Sequence, residues 1–128
     1  MVMNLDHVAI AVRNLEETVE LYKKMGFSVE RVEIVEEQGV KVAFLSLENT
    51  HLEIIEPMDE NSPVGKFLEK RGEGLHHIAI RVNNLNEKME ELKSKGFMVV
   101  GSGKGAGGKK VFFVHPQSAK ILLEFVEG

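Results

Sequence analysis

The chain repeats itself, and that repeat limits the possible folds more than any other feature. DHVAIAVRNLEE at 6–17 returns 70 residues later as HHIAIRVNNLNE at 76–87. KKMGF at 23–27 returns as KSKGF at 93–97 with the same offset, and HLEIIE at 51–56 returns as LLEFVE at 122–127 with an offset of 71. Three matched blocks in the same order mark two fused copies of one supersecondary unit.

Each copy reads alike. DHVAIAV alternates and is rich in β-branched residues, as a half-buried strand should be. Asn14 then stands where a helix N-cap belongs, with Glu17 three residues on, and Asn84 and Glu87 repeat the pairing. Leu15, Val19, Tyr22 and Met25 form one apolar stripe, and Leu85, Met89 and Leu92 form another. Gly26 and Gly96 suit left-handed helix ends. Strand-like runs follow at 28–35, 40–47 and 51–56, and again at 97–100, 110–114 and 120–126. Each half is therefore β-α-β-β-β and the class is α+β. Ser62-Pro63 opens a linker helix over about 62–70, with Val64, Phe67 and Leu68 as its buried face. The modules span about 1–58 and 74–128. A βαβββ unit leaves one sheet face uncovered, so two of them are expected to form an open eight-stranded, barrel-like sheet around a cleft.

The repeat also selects the candidates for chemistry. His7 matches His77, and Glu53 matches Glu124, so each copy offers a histidine on its first strand and a glutamate on its last. Strand periodicity puts His7 with Ala9 and Ala11, opposite Val8 and Ile10, and puts His77 with Ala79 and Arg81. The branched residues are expected to pack on the helices, leaving the histidines and alanines toward the cleft. Carboxylates among apolar neighbours are costly to bury without partners. Two imidazoles and two carboxylates suit a divalent cation of intermediate hardness. Co²⁺ is the first expectation, with Mn²⁺, Ni²⁺, Fe²⁺ or Zn²⁺ as alternatives. His76 could exchange roles with His77, but it aligns with Asp6, which favours His77. A lone strand histidine is more often structural than a ligand, and His51 and His115, which have no counterparts, are expected at turns or on the surface.

Gly103 to Lys109 reads G-x-x-x-x-G-K, the start of a phosphate-binding loop, but Lys110 replaces the Ser or Thr and VFFV follows as a strand. GSGKGAGGKK fits a loop near the cleft and, equally, a plain hairpin loop. Charged residues make up 28% of the 128, with a net charge of −4 and both signs interspersed. Such a balance argues against nucleic-acid partners. No cysteine is present, so thiolate sites are excluded. No apolar run suggests a signal peptide or a membrane span, so the expected setting is the cytoplasm.

Paired βαβββ modules with a histidine on each first strand and an acid on each last strand resemble the vicinal oxygen chelate superfamily. Within it, the chain is similar to the methylmalonyl-CoA epimerase family from end to end. The similarity rests on DHVAIAV, EEQGVKVAFL, LEIIEP, NSPVGKFLEKRGEGLHHIAI, GKKVFFVHPQS and ILLEFVE, the run from Asn61 to Ile80 being the most specific. The resemblance implies a single domain over 1–128, metal ligands at His7, Glu53, His77 and Glu124, and an acyl-CoA substrate. The implied reaction interconverts (2R)- and (2S)-methylmalonyl-CoA by proton removal and return through an enolate, with Glu124 and Glu53 moving the proton. Family members commonly form homodimers. Some members carry glutamate where this chain has Val42 and glutamine where it has Glu53; Gln117 and Gly107 also depart from common lysine and histidine positions. A hairpin turn near Leu47 and Glu48 would make Val42 and Glu53 direct cross-strand neighbours. Two rival readings are a glyoxalase-like lyase of the same superfamily and a small-molecule sequestering protein. The 61–80 segment argues against the first, and a filled metal site would argue against the second.

Overall fold

Two asparagines start the two long repeat helices. In the computed structural model, which describes residues 2–128, Asn14 Oδ1 accepts from the Glu17 amide at 3.0 Å and Asn84 Oδ1 from the Glu87 amide at 3.1 Å. Each bond satisfies an amide that the first helical turn would leave without a partner. Helix α1 (Leu15–Lys24) follows strand β1 (Met3–Ala11), and α3 (Leu85–Ser94) follows β5 (Gly74–Val82). Gly26 and Gly96 close them at φ of 103° and 88°, a region open to glycine at little cost.

The remaining elements are β2 (Ser28–Val35), β3 (Val40–Ser46), β4 (His51–Pro57), α2 (Pro63–Arg71), β6 (Val99–Lys104), β7 (Lys110–Val114), α4 (Pro116–Ala119) and β8 (Leu123–Glu127). Single 3₁₀ turns at Glu36–Gln38 and Ala106–Gly108 extend the 70-residue repeat into the loops. The α+β, βαβββ reading therefore stands. No helix among the described residues is long and apolar enough to cross a membrane.

The chain forms two compact units, Val8–His76 and, in the second, the described residues up to His7 with His77–Gly128. In the first, β2, β3 and β4 pair antiparallel in that order. Val12, Leu15, Val19, Ala43, Leu45 and Ile54 form its core, with Ile10 and Tyr22 packed against them. In the second, the order is β5-β8-β7-β6, with β5 and β8 parallel. Val82, Phe112, Val114 and Phe125 are buried there against Ile80, Leu85, Met89 and Leu92 of the helix side. Full burial of each such side chain contributes about 1.5–3 kcal/mol. Ala79 packs instead with Val111 and Val126. Ile10 and Ile80 thus serve the helix-side cores, as strand periodicity predicts.

Several boundaries differ from the sequence expectation. Met25 is 64% exposed, because it forms the C-cap of α1 rather than a fourth buried position. Of the linker-helix face, Val64 and Leu68 are buried and Phe67 is half-buried, edge-on to His76. The glycine-rich run read as loop partly belongs to β6: Gly101, at φ 61°, accommodates a register shift between Val100 and Gly103, after which pairing with β7 resumes. The run 120–126 does not begin as strand. Lys120 takes a left-handed conformation behind the short helix α4, and β8 starts at Leu123.

The β3–β4 register also requires correction. The Leu47 amide donates to the Thr50 carbonyl at 3.1 Å, so the turn centres on Glu48-Asn49, one residue beyond the expected place. Phe44, not Val42, consequently faces Glu53, and Val42 faces Ile55. Val42 is a diagonal neighbour of Glu53 on the same sheet face.

Gly65, buried in α2, yields a test of this local packing. A Cβ there would lie 2.6 Å from the Asp59 carbonyl oxygen and 2.7 Å from that of Glu60. Backbone cannot yield as a flexible side chain can, so Gly65→Ala should destabilise the protein by about 1–3 kcal/mol. Urea denaturation of the two forms measures the difference.

Candidate metal centre

Three sequence-selected side chains converge in the second unit. Strand β8 runs parallel to β5 with Glu124 opposite Ala79. His77, two residues before Ala79, points to the same face of β5. His7 lies on the part of β1 that belongs to this unit. The distances are 2.8 Å from His77 Nε2 to Glu124 Oε1, 3.2 Å from His7 Nε2 to the same oxygen, and 3.2 Å between the two Nε2 atoms. His7, His77 and Glu124 are respectively 4%, 7% and 5% exposed, so bulk water does not explain how they are satisfied.

These separations suit a shared cation. An ion about 2.1 Å from each donor in octahedral geometry sets adjacent donors about 3 Å apart. The orientation of His7 agrees. Its Nδ1 lies 2.7 Å from Asp6 Oδ2, and a carboxylate accepts only, so Nδ1 carries the proton. The lone pair of the neutral ring is then at Nε2, the atom that faces His77 and Glu124. Asp6 is itself buried, and its other oxygen accepts from Arg81 Nη1 at 3.1 Å.

Hydrophobic and small groups shape the surroundings. Phe113, opposite Glu124 on β7, presents its ring at right angles to His77, with centroids 5.7 Å apart. Gly105 of the glycine-rich loop is buried beside the acid: a Cβ there would lie 3.6 Å from Glu124 Oε2 and 3.2 Å from Val111 Cγ1. The loop thus approaches the candidate centre, as one of its two sequence readings expected. The segment following it is strand β7, which removes the nucleotide-loop reading.

Glu53, the fourth expected ligand, belongs to the first unit, where it is 5% exposed. His51 Nε2 lies 2.8 Å from Glu53 Oε2, and the His51 ring is 5.5 Å from that of Phe44. His51 is therefore not simply a turn residue: it opens β4 two positions before Glu53 and shares that residue's face. His115, by contrast, is a turn residue as expected: its Nδ1 accepts from the Gln117 amide and caps α4. Sequence reasoning put Arg81 on the face of His77 and the glycine-rich loop near the cleft, but it did not pair Asp6 with His7 and Arg81, or His51 with Glu53. The signal for Asp6 was that it breaks the repeat by standing opposite His76, and the signal for His51 was its spacing of two from Glu53.

With no cation in the centre, the Nε2 atoms can carry protons instead of facing a metal: burial drives the Glu124 carboxyl upward, but hydrogen bonds from His7 and His77, with the imidazole charges behind them, then outweigh it and hold the group at about 2. Its folded pKa lies below the unfolded value near 4.5, so its stabilising contribution is present above pH 4.5 and disappears as pH falls toward 2. Metal-free wild type should therefore exceed Glu124→Gln in stability at neutral pH, with the gap closing between pH 4.5 and 2. Denaturant unfolding of both across that range measures it.

Comparison with known proteins places the chain. The family model described as the Glyoxalase/Bleomycin resistance protein/Dioxygenase superfamily matches residues 6–113. The ethylmalonyl-CoA/methylmalonyl-CoA epimerase of Cereibacter sphaeroides is 40% identical over 132 aligned positions, covering 99% of this chain and 98% of the relative. A methylmalonyl-CoA epimerase solved with methylmalonyl-CoA and NH4+ superposes with a TM-score of 0.94 at 35% identity, covering 100% of this chain and 96% of that one. A variant of the Streptomyces coelicolor methylmalonyl-CoA epimerase, solved with 2-nitronate-propionyl-CoA, gives a TM-score of 0.93 at 36% identity, covering 97% and 96%. Repeat, fold and these matches agree: the chain belongs to the Glyoxalase/Bleomycin resistance protein/Dioxygenase superfamily.

Proposed function

We propose that the chain is a metal-dependent epimerase interconverting (2R)- and (2S)-methylmalonyl-CoA. Near-full-length similarity to proteins named for this activity supports the substrate. The single structural observation behind the metal dependence is the buried His7, His77 and Glu124 triangle, with donor atoms 2.8–3.2 Å apart. Glu53 is the fourth ligand in this proposal. As part of it, the chain works as one domain in the cytoplasm and pairs as a homodimer.

The reaction removes a proton from the carbon between thioester and carboxylate and returns one to the opposite face. A divalent ion, Co²⁺ first among candidates, supplies positive charge against the negative charge that proton removal develops on the substrate. A 2-nitronate, the ligand of the Streptomyces coelicolor relative, is planar and anionic at the corresponding carbon, which supports a reaction through an enolate. Glu124 stays ionised because of its two imidazole partners. Its Oε1 belongs to the donor triangle, and its Oε2, beside the bare backbone of Gly105, is the oxygen free of that triangle to exchange a proton. Glu53, buried and bonded to His51, is the second proton-transfer group. Inversion requires these two to act on opposite faces of the carbon.

The decisive experiment follows deuterium from solvent into methylmalonyl-CoA, with and without a chelator. Incorporation at the C2 position, lost on chelation and regained with Co²⁺, is the expected outcome; incorporation untouched by chelation would sink the metal dependence. His7→Ala or His77→Ala should abolish tight metal binding, measured as metal per chain after dialysis.

The exchange of carboxylate between strands makes a further prediction. Glu53→Gln should retain most of the metal, because an amide oxygen still coordinates, while lowering kcat about a hundredfold or more. Adding Val42→Glu, diagonal to position 53, should restore part of the rate. Turnover measured beside metal occupancy in the three forms decides the matter, and near-normal kcat in Glu53→Gln would count against it.

A further inference from the structure

We propose that Asp6 is a positioning residue for His7, and that Arg81 holds it in place. The inference rests on the metal reading above. Asp6 is 8% exposed, and each of its oxygens has its own partner: Oδ2 takes the Nδ1 proton of His7 at 2.7 Å, and Oδ1 accepts from Arg81 Nη1 at 3.1 Å. Arg81, with its side chain 37% exposed, ties the buried carboxylate toward the solvent side.

Three consequences follow from this chain of contacts. It selects the tautomer whose lone pair is on Nε2, the atom within 3.2 Å of both other donors. It fixes the rotation of the ring, because the imidazole is restrained at Nδ1 on one side and by the donor triangle on the other. It also places an anion behind the ring, which makes Nε2 a stronger donor to a cation. The second copy of the repeat is built differently. His76 stands where Asp6 stands in the first copy, and its ring lies edge-on to Phe67, with centroids 4.8 Å apart. The adjacent Asp-His pair is therefore a feature of the first copy of the repeat.

Asp6→Asn keeps the size of the side chain and removes its charge, leaving His7, His77 and Glu124 untouched. Co²⁺ affinity, measured by competition with a chromophoric chelator, should fall about 10- to 100-fold. The visible absorption bands of bound Co²⁺ should shift, because the donor strength and orientation of one ligand have changed. Unfolding of the metal-free variants, measured in parallel, separates this from a general loss of structure, which would not move the cobalt bands of the folded fraction. Arg81→Met provides a second variant at a partly exposed position. It should weaken Co²⁺ binding severalfold, less than Asp6→Asn, because it acts through Asp6. Wild-type binding with unchanged affinity and spectrum in Asp6→Asn overturns this inference alone, and the same result in Arg81→Met overturns it should the Asn variant not fold. Failure of the wild-type chain to bind Co²⁺ overturns the metal reading and this inference with it.

Discussion

Two imidazole nitrogens and a carboxylate oxygen lie within 3.2 Å of one another in a setting nearly closed to water, and much of the second unit's design answers to that arrangement. Buried donors and acceptors are costly when unsatisfied, so these three atoms must be served by protons they share or by a cation. The parallel pairing of β5 with β8 brings His77 and Glu124 onto one face, and Asp6 turns the His7 ring so that Nε2 faces them. Phe113 closes one side, while Gly105 lets backbone approach the second oxygen of Glu124. Each of these features would be hard to explain as packing alone.

The duplication explains why so small a chain can build such a site. Each copy supplies a helix-covered strand set with its own apolar core against the helix. Having two copies also permits divergence. In the first, Glu53 pairs with His51 and Phe44; in the second, Glu124 pairs with histidines and faces Phe113. A phenylalanine opposite each glutamate survives in both copies, although the histidine partners differ. We attribute the retained ring to the same need in each, an apolar wall that keeps water from a charged oxygen.

Relatives with glutamine and glutamate in place of Glu53 and Val42 become intelligible on the observed register. The two positions are diagonal on one face, near enough for a long side chain at either to reach common ground. The expected direct pairing failed for a simple reason. A hairpin register depends on which residues make the turn, and the expectation overlooked that Asn49 suits a turn position better than Leu47 does. The hydrogen bond from Leu47 to Thr50 selects the Glu48-Asn49 turn.

Periodicity and repetition were legible in the sequence because both are properties of the chain order. They specified the α+β class, the two asparagine caps, the helix-side cores and the matched pairs His7 with His77 and Glu53 with Glu124. They also exposed the false phosphate loop, since VFFV reads as strand. What depends on contacts distant in sequence was not legible. The extension of β6 through Gly103 needed β7 to supply its hydrogen-bonding partner, and the β3–β4 register needed the turn geometry. Asp6 and Arg81 are 75 positions apart, so nothing local marks them as partners. The chain order thus named candidate residues for holding a cation, whereas only the tertiary structure decided which ring nitrogen His7 turns toward His77 and Glu124, because orientation is fixed by neighbours that folding alone brings together.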